Sequence, residues 1–395
     1  MDIFATAPMA HATGARHQGD AAQRVLSPDN FGQAIGEITQ WDGYAPTPLV
    51  SLPALAAKIG VGEIHYKHEG PRFGLGSFKA LGGAYAALRV LQRELSSRLG
   101  KDVTLADIRN GDYSDDCAKI TLVSATDGNH GRSLAWGCKR FGAPCRIYIH
   151  AEVSEGRAQA MRELGADVIR IEGDYDDSVD LARAEAEQNG WFVVSDTSWP
   201  GYSEPPRDVM AGYSVMTREA CDALGNAPTH VFLQGGVGGL AASVAAKLRQ
   251  YWGDQSPRVV IVEPDMAACL YESARKDAPT AVNIEVETIM AGLSCGEPSE
   301  MAWDILREEA TDYVTIPDSV VGPTMRLLAR PLGSDPVVEA GESAVAGLAA
   351  LIAAQAGTTG ATLGLDSSSR VLLIGSEGVT DPEIFAAVMA EDSNV

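Results

Sequence analysis

Long apolar runs are missing from this chain of 395 residues. The longest, Ala344 to Ala356, is too short to span a bilayer and suits a buried helix. Cysteine is sparse. Its six occurrences are Cys117, Cys138, Cys145, Cys221, Cys269 and Cys295. They lack metal-finger spacing, and their density excludes a disulfide scaffold. That usage points to the cytoplasm, and no metal-ligand constellation is expected. Positive charge is also short. Against 53 Asp and Glu stand 31 Lys and Arg, a net charge of −22. This balance argues against nucleic acid or an anionic membrane surface as a partner. It reads as a solvated, self-repelling surface. Residues 1–30 have no apolar signal core and are expected to form a flexible N-terminal segment. No internal repeat or low-complexity linker occurs, so domain boundaries are expected at packed crossings.

What is present is an alternation of strand-like and helix-like segments, the pattern of α/β architecture. At 45% hydrophobic and this length, the chain is long enough for two domains. Strands are expected at 63–67, 119–123, 145–149, 167–171, 191–194, 230–233, 258–262 and 371–374. Each is short and almost continuously apolar, as in parallel sheets covered on both faces. Helices are expected over 78–94, from about Gly131, over 155–164, 177–189, 206–224 and 240–251. Residues 99–118 form a polar excursion.

Four segments carry chemistry. Residues 124–131 read Ser-Ala-Thr-Asp-Gly-Asn-His-Gly. They place a carboxylate, an amide, an imidazole and free backbone N–H groups at one helix start. Gln234-Gly-Gly-Val-Gly-Gly239 joins a strand to a helix, the context of a phosphate cradle. A rival reading takes Gly236-x-Gly238-x-x-Ala241 as a dinucleotide fingerprint, with Glu263 as the ribose acid. Lys79 begins an apolar helix beside Phe78, Ala80 and Leu81. A desolvated lysine loses some preference for the ammonium form, and a neutral amine can condense with an aldehyde. Ser376, after the last strand, could meet a neutral ring nitrogen or simply cap a helix. Taken singly, Asp127 reads equally as an Asp-Gly turn residue and Asp196 as a helix cap.

Together the four segments resemble the pyridoxal-phosphate enzymes of fold type II, the tryptophan synthase β-subunit fold. That family carries Ser-Phe-Lys, Gly-Asn-His, a glycine-rich loop and a late Ser or Thr in this order. The resemblance is strongest to the diaminopropionate ammonia-lyases. It rests on Arg72-Phe-Gly-Leu-x-x-Phe-Lys79, Ala125-Thr-Asp-Gly-Asn-His-Gly-Arg132, Asp196-Thr-x-Trp199-x-Gly-Tyr202 and Pro206-x-x-x-Met210-x-Gly-Tyr213. Val262-Glu-Pro-Asp265, Met290 to Pro298 and Gly341-Glu-Ser343 also match. It spans roughly residues 40 to 385. Gly76-Ser77, Ala344 and Ser376 depart from the family's usual residues.

The resemblance implies two α/β domains, each with a mostly parallel sheet flanked by helices. The large cofactor domain would comprise 31–84 and 206–395, with a small domain, 85–205, inserted. Pyridoxal 5'-phosphate would be held by Lys79, Phe78, Asn129, Gly235, Gly236, Val237, Gly238, Gly239, Glu342 and Ser376. Lys79, Asp127 and Asp196 would be catalytic, the two carboxylates serving opposite α-carbon enantiomers. Ser77, Thr126, Asp127, His130, Asp196 and Trp199 would meet the substrate, a small amino acid. His130 is read as organising its loop, and Trp199 as a packing residue that could also line the site. The implied activity is a carbon–nitrogen lyase. It removes ammonia from 2,3-diaminopropionate and yields pyruvate and a second ammonia through aminoacrylate. A homodimer is implied too. Alternatives are a serine, threonine or 3-hydroxyaspartate dehydratase of the same fold, a nicotinamide-dependent oxidoreductase, and a sensor that binds the cofactor without turnover. Cys269 and Cys295 could pair, although two buried thiols suit a reducing cytosol.

Overall fold

Two sheets organise the chain. The computed structural model describes residues 2–15, 17–126 and 128–391. It divides into two compact units. One comprises Met1–Pro28, Ala45–Ser77 and Met216–Val395, the other Asp29–Tyr44 and Phe78–Val215.

The first unit is built on a seven-stranded sheet. Its order is His11–Thr13, Asp312–Ile316, Arg258–Pro264, His230–Gln234, Arg370–Gly375, Glu63–His68 and Leu49–Ser51. The five inner strands run parallel, and each edge strand is antiparallel to its neighbour. Every residue of His230–Gln234 and Asp312–Ile316 is buried. That accounts for their nearly unbroken apolar composition. The core gathers Phe232, Val260, Val262, Ile316, Leu348, Leu351 and Leu373. Helix Ala346–Ala356 is buried over its first nine residues, as its composition required.

Charge is buried here as well. Arg72 Nε donates to Glu69 Oε2 at 2.8 Å, and its Nη2 to Glu219 Oε2 at 2.7 Å. Lys67 Nζ donates to the same Glu219 oxygen at 2.6 Å. Thr47 Oγ donates to Glu69. The pairing offsets the cost of removing four charges from water. It anchors the segment that runs from Arg72 to Ser77.

The second unit holds a four-stranded parallel sheet, ordered Asp167–Arg170, Cys145–Ile149, Leu122–Ala125 and Phe192–Val193. Helices Lys79–Leu99 and Asn129–Phe141 pack at close range. A Cβ on Gly137 would lie 2.7 Å from Ala84 Cα, and one on Gly83 would lie 2.7 Å from Ser133 Oγ. Those glycines let the two backbones approach, and Ser133 Oγ accepts from the Ala84 N–H at 3.0 Å. Lys79 opens one helix and Asn129 the other.

Several expectations need correction. Among the described residues of 1–30, short elements occur. Helix Asp2–Thr6 buries Phe4, strand His11–Thr13 extends the large sheet, and helix Ala21–Val25 follows. Asp29–Tyr44 groups with the second unit, because Trp41 packs edge-on against Trp136 and Phe141, both at 5.8 Å. Phe78–Ala84 groups there too, and helix Glu204–Leu224 is divided after Val215. The strand expected at 119–123 is Leu122–Ala125, and its helix begins at Asn129 rather than Gly131. No helix among the described residues is long and apolar enough to cross a membrane.

Candidate active site

In the second unit, strands Leu122–Ala125 and Phe192–Val193 are parallel neighbours. The loops beyond their carboxyl ends therefore start side by side, where ligands of open α/β sheets gather. One leads through Thr126 to Asn129 and His130 at the start of helix Asn129–Phe141, the other carries Asp196. Lys79 Nζ donates to Asp196 Oδ2 as an ion pair. The side chains are 23% and 20% exposed, so this lysine is not a solvated helix-end residue. Burial pushes the Asp196 carboxyl upward. The Lys79 charge, with His130 and hydrogen bonds, outweighs it and holds the group well below the usual carboxylate range.

His130 is buried, and its Nε2 donates to the Val194 carbonyl at 2.8 Å. Burial lowers its pKa, so the ring is neutral, with the proton on Nε2. Its Nδ1 then presents a bare lone pair. Thr126 is buried, and its Oγ accepts from the Gly128 N–H at 3.3 Å. Asn129 is half-buried at the first turn of its helix. Phe78 is buried, with its ring 4.6 Å from Tyr213 and 5.9 Å from Lys79 Nζ. Trp199 stacks on Tyr202 at 3.9 Å, and the Arg183 guanidinium lies 3.6 Å from its ring. It lines a cavity with Arg93, Arg183 and Tyr202, to which neither Lys79 nor Asp196 contributes. Asp127 lies outside the described residues.

In the first unit, the Gly235–Gly239 loop leads from strand His230–Gln234 into helix Gly239–Trp252. Gly236 and Gly238 have φ of +64° and +95°, values that favour glycine. Gln234, absent from the sequence expectations, ties three loops together. Its Nε2 donates to the carbonyls of Ser343, Ala344 and Ile374. Ser376 and Glu342 are buried beside them. Ser77 bridges to Glu377, the Gly378 N–H donates to Gly76 O at 2.9 Å, and Gly341 N–H to Glu377 O at 3.3 Å. Ser77, Glu342, Ser376 and the glycine loop therefore converge at one sheet end.

Glu263 cannot be a ribose acid. It is 0% exposed and accepts from the N–H groups of Leu270 at 3.0 Å and Tyr271 at 2.7 Å. A Cβ on Gly235 would sit 2.4 Å from its Cγ, so it packs beneath the loop. No disulfide joins Cys269 to Cys295; Cys269 is buried and Cys295 half-buried. Among the described residues, no cluster of His, Cys, Asp and Glu is arranged to hold a metal ion.

Comparison with known proteins decides the family. The pyridoxal-phosphate dependent enzyme family matches residues 40–375. Diaminopropionate ammonia-lyase of Escherichia coli strain K12 is 39% identical over 356 residues, 88% of each chain. The chain belongs to the diaminopropionate ammonia-lyase family of pyridoxal-phosphate-dependent enzymes. Two crystal structures of the E. coli lyase superpose with a TM-score of 0.88 at 36% identity. One is in complex with D-serine and covers 98% of this chain and 97% of that one. The other is in complex with an aminoacrylate-PLP azomethine reaction intermediate and covers 98% of both.

The residues of this ammonia-lyase family member fit its cofactor. The glycine loop leads straight into the N-terminus of helix Gly239–Trp252, where first-turn backbone N–H groups have no partner within the helix, a setting that suits a phosphate. In the second unit, His130 Nδ1 and the Tyr213 hydroxyl are buried without a hydrogen-bond partner among the described residues. Tyr213 interacts electrostatically with both Lys79 and Asp196. Buried polar atoms without partners mark places for a polar ligand.

Proposed function

We propose that this protein eliminates ammonia from 2,3-diaminopropionate, forming aminoacrylate, which water converts to pyruvate and a second ammonia. The observation that carries this reading is the Lys79–Asp196 ion pair in a chain so similar to a diaminopropionate ammonia-lyase. Lys79 would hold the cofactor's aldehyde through its amine, beside Phe78. Asn129 would meet the ring oxygen and Ser376 the ring nitrogen. The Gly235–Gly239 backbone would take the phosphate, with Glu342 beside that sheet end. The chemistry such a group would supply is a conjugated ring able to take up the electron pair left when the α-proton departs.

Asp196 and Asp127 each take the α-proton of one enantiomer. A carboxylate beside an ammonium is a weak base, and Asp196 is held so by Lys79. Its basicity returns when the Lys79 nitrogen gives up that charge. The same carboxylates favour a substrate with a second ammonium on its β-carbon, which a hydroxyl substrate lacks. Ser77, Thr126 and His130 complete the substrate contacts, whereas Trp199 lines a separate cavity with Arg183 and Tyr202. We place the enzyme in the cytoplasm, as a homodimer, from its family resemblance.

The test is release of pyruvate and ammonia from both enantiomers of diaminopropionate, beside serine, threonine and 3-hydroxyaspartate. Two ammonia per pyruvate from diaminopropionate, at the highest kcat/KM of the panel, supports the reading. Faster turnover of a hydroxy amino acid overturns it in favour of a dehydratase.

A further inference from the structure

Three consecutive residues precede Asp196, and a side chain holds the backbone of each. The Tyr202 hydroxyl donates to the Val193 carbonyl at 2.9 Å and accepts from the Ser195 N–H at 2.9 Å. His130 Nε2 donates to the Val194 carbonyl between them. Thr197 N–H then donates to Ser195 Oγ at 3.2 Å, which bends the chain past Asp196.

The local sequence explains how Tyr202 reaches back. Trp199-Pro-Gly-Tyr202 is a tight turn closed by reciprocal backbone bonds, Trp199 N–H to Tyr202 O at 3.3 Å and Tyr202 N–H to Trp199 O at 2.9 Å. Pro200 presets the first corner, and Gly201, at φ +84°, takes the second. The turn lays the Trp199 and Tyr202 rings face to face, 9° from parallel. Burial pushes the phenol pKa up, so the hydroxyl keeps the proton it gives to Val193.

We infer that Tyr202, assisted by His130, is a positioning residue that holds Asp196 against Lys79. The ten residues between strand Phe192–Val193 and helix Glu204–Leu224 would otherwise let the carboxylate swing away from the amine. With the two peptides that lead into it, Val193–Val194 and Val194–Ser195, bonded to one hydroxyl, the chain entering Asp196 is held in place. This inference rests on the assignment of Asp196 as the base for one enantiomer.

The experiment compares Tyr202→Phe with Asp196→Asn in the full-length holoenzyme on both enantiomers of diaminopropionate. Phe keeps the stack on Trp199 and removes both hydrogen bonds. Two bonds of ordinary strength predict a loss in kcat of about tenfold. The loss falls on the enantiomer that Asp196→Asn impairs, with KM and the other enantiomer nearly unchanged. A purely structural role would lower both enantiomers alike. An unchanged enantiomer ratio in Tyr202→Phe, beside a changed ratio in Asp196→Asn, overturns the inference.

If Asp196→Asn leaves the ratio unchanged, the base assignment fails and Tyr202 is judged on a separate readout. That readout is the rate at which the apoprotein captures pyridoxal phosphate at Lys79, followed by visible absorbance. A loosened carboxylate frees the amine and raises this rate severalfold; an unchanged rate overturns the positioning role. Should Tyr202→Phe not fold, Gly201→Ala strains the same turn and is scored on the same two readouts.

Discussion

The Lys79 ammonium donates to the Asp196 carboxylate across 117 positions of sequence. Two strand ends and one helix start meet to allow it. Asp196→Asn keeps the shape and removes the proposed base. Turnover of one diaminopropionate enantiomer should fall by roughly 10²–10⁴, the usual worth of a positioned base. The other enantiomer should keep most of its rate. Asp127→Asn should show the reverse preference. Pyruvate release from each enantiomer checks both. Lys79→Ala should lose the absorbance band that borohydride otherwise fixes onto that residue.

Glu263 makes stability depend on pH. Burial raises its pKa to about 8, against two backbone N–H bonds and the Cys269 thiol, which lower it. The folded state therefore binds this proton more tightly than the unfolded chain, whose carboxyl has its ordinary value near 4.5. The stabilisation is complete below about pH 4.5 and is lost as pH rises towards about 8. Its slope is at most ~1.4 kcal/mol per pH unit. Glu263→Gln should flatten this part of the profile. Urea unfolding at several pH values, wild type against variant, measures it.

The buried network around Arg72 should be intolerant of single losses. Glu219→Ala strands Arg72 and Lys67 without their shared partner. A cost of roughly 3–5 kcal/mol is expected for breaking such a buried pair. Asp222→Ala, one turn further along the same helix, removes a half-exposed partner of Arg218. It should cost less than about 1 kcal/mol. Denaturant midpoints with unchanged slopes would confirm the contrast.

Gly137→Ala tests the helix contact. Its new methyl meets the Ala84 backbone, which cannot move without moving helix Lys79–Leu99. Overpacking of this kind costs about 1–3 kcal/mol. Because that helix begins at Lys79, covalent capture of pyridoxal phosphate should slow as well. Gly156→Ala, in helix Glu155–Glu163 with open space around it, should do neither. Thermal melts and capture rates distinguish the two variants.

Every inner strand except Asp312–Ile316 was legible because full burial leaves a nearly continuous apolar signature. Cys145–Ile149 was placed residue for residue, and the others shifted by a few positions at their ends. The edge strands His11–Thr13 and Leu49–Ser51 were missed. They are three residues long and only partly buried, so they carry no period. Strand Asp312–Ile316 was missed although wholly buried; its Asp and Thr residues break the apolar run. Sequence alone placed 31–84 in the large domain, whereas Asp29–Tyr44 groups with the second unit, since nothing local announces that Trp41 packs on Trp136 and Phe141.

Sequence by itself pointed to the cofactor class through the joint resemblance of four segments in one order, and it placed the Lys79 helix start and the glycine loop, because strand-loop-helix junctions are local patterns. It could not decide what Glu263, Gln234 or Tyr202 does. A carboxylate after a strand looks the same whether it faces a ribose or seals a loop. A tyrosine after Pro-Gly looks the same whether it packs or clamps. Tertiary structure decided those roles: burial removed Glu263 from solvent, three carbonyls converged on Gln234, and a turn returned the Tyr202 hydroxyl to the peptides before Asp196. Hydrogen bonds between distant segments depend on distance and direction in space, which no local pattern of residues encodes.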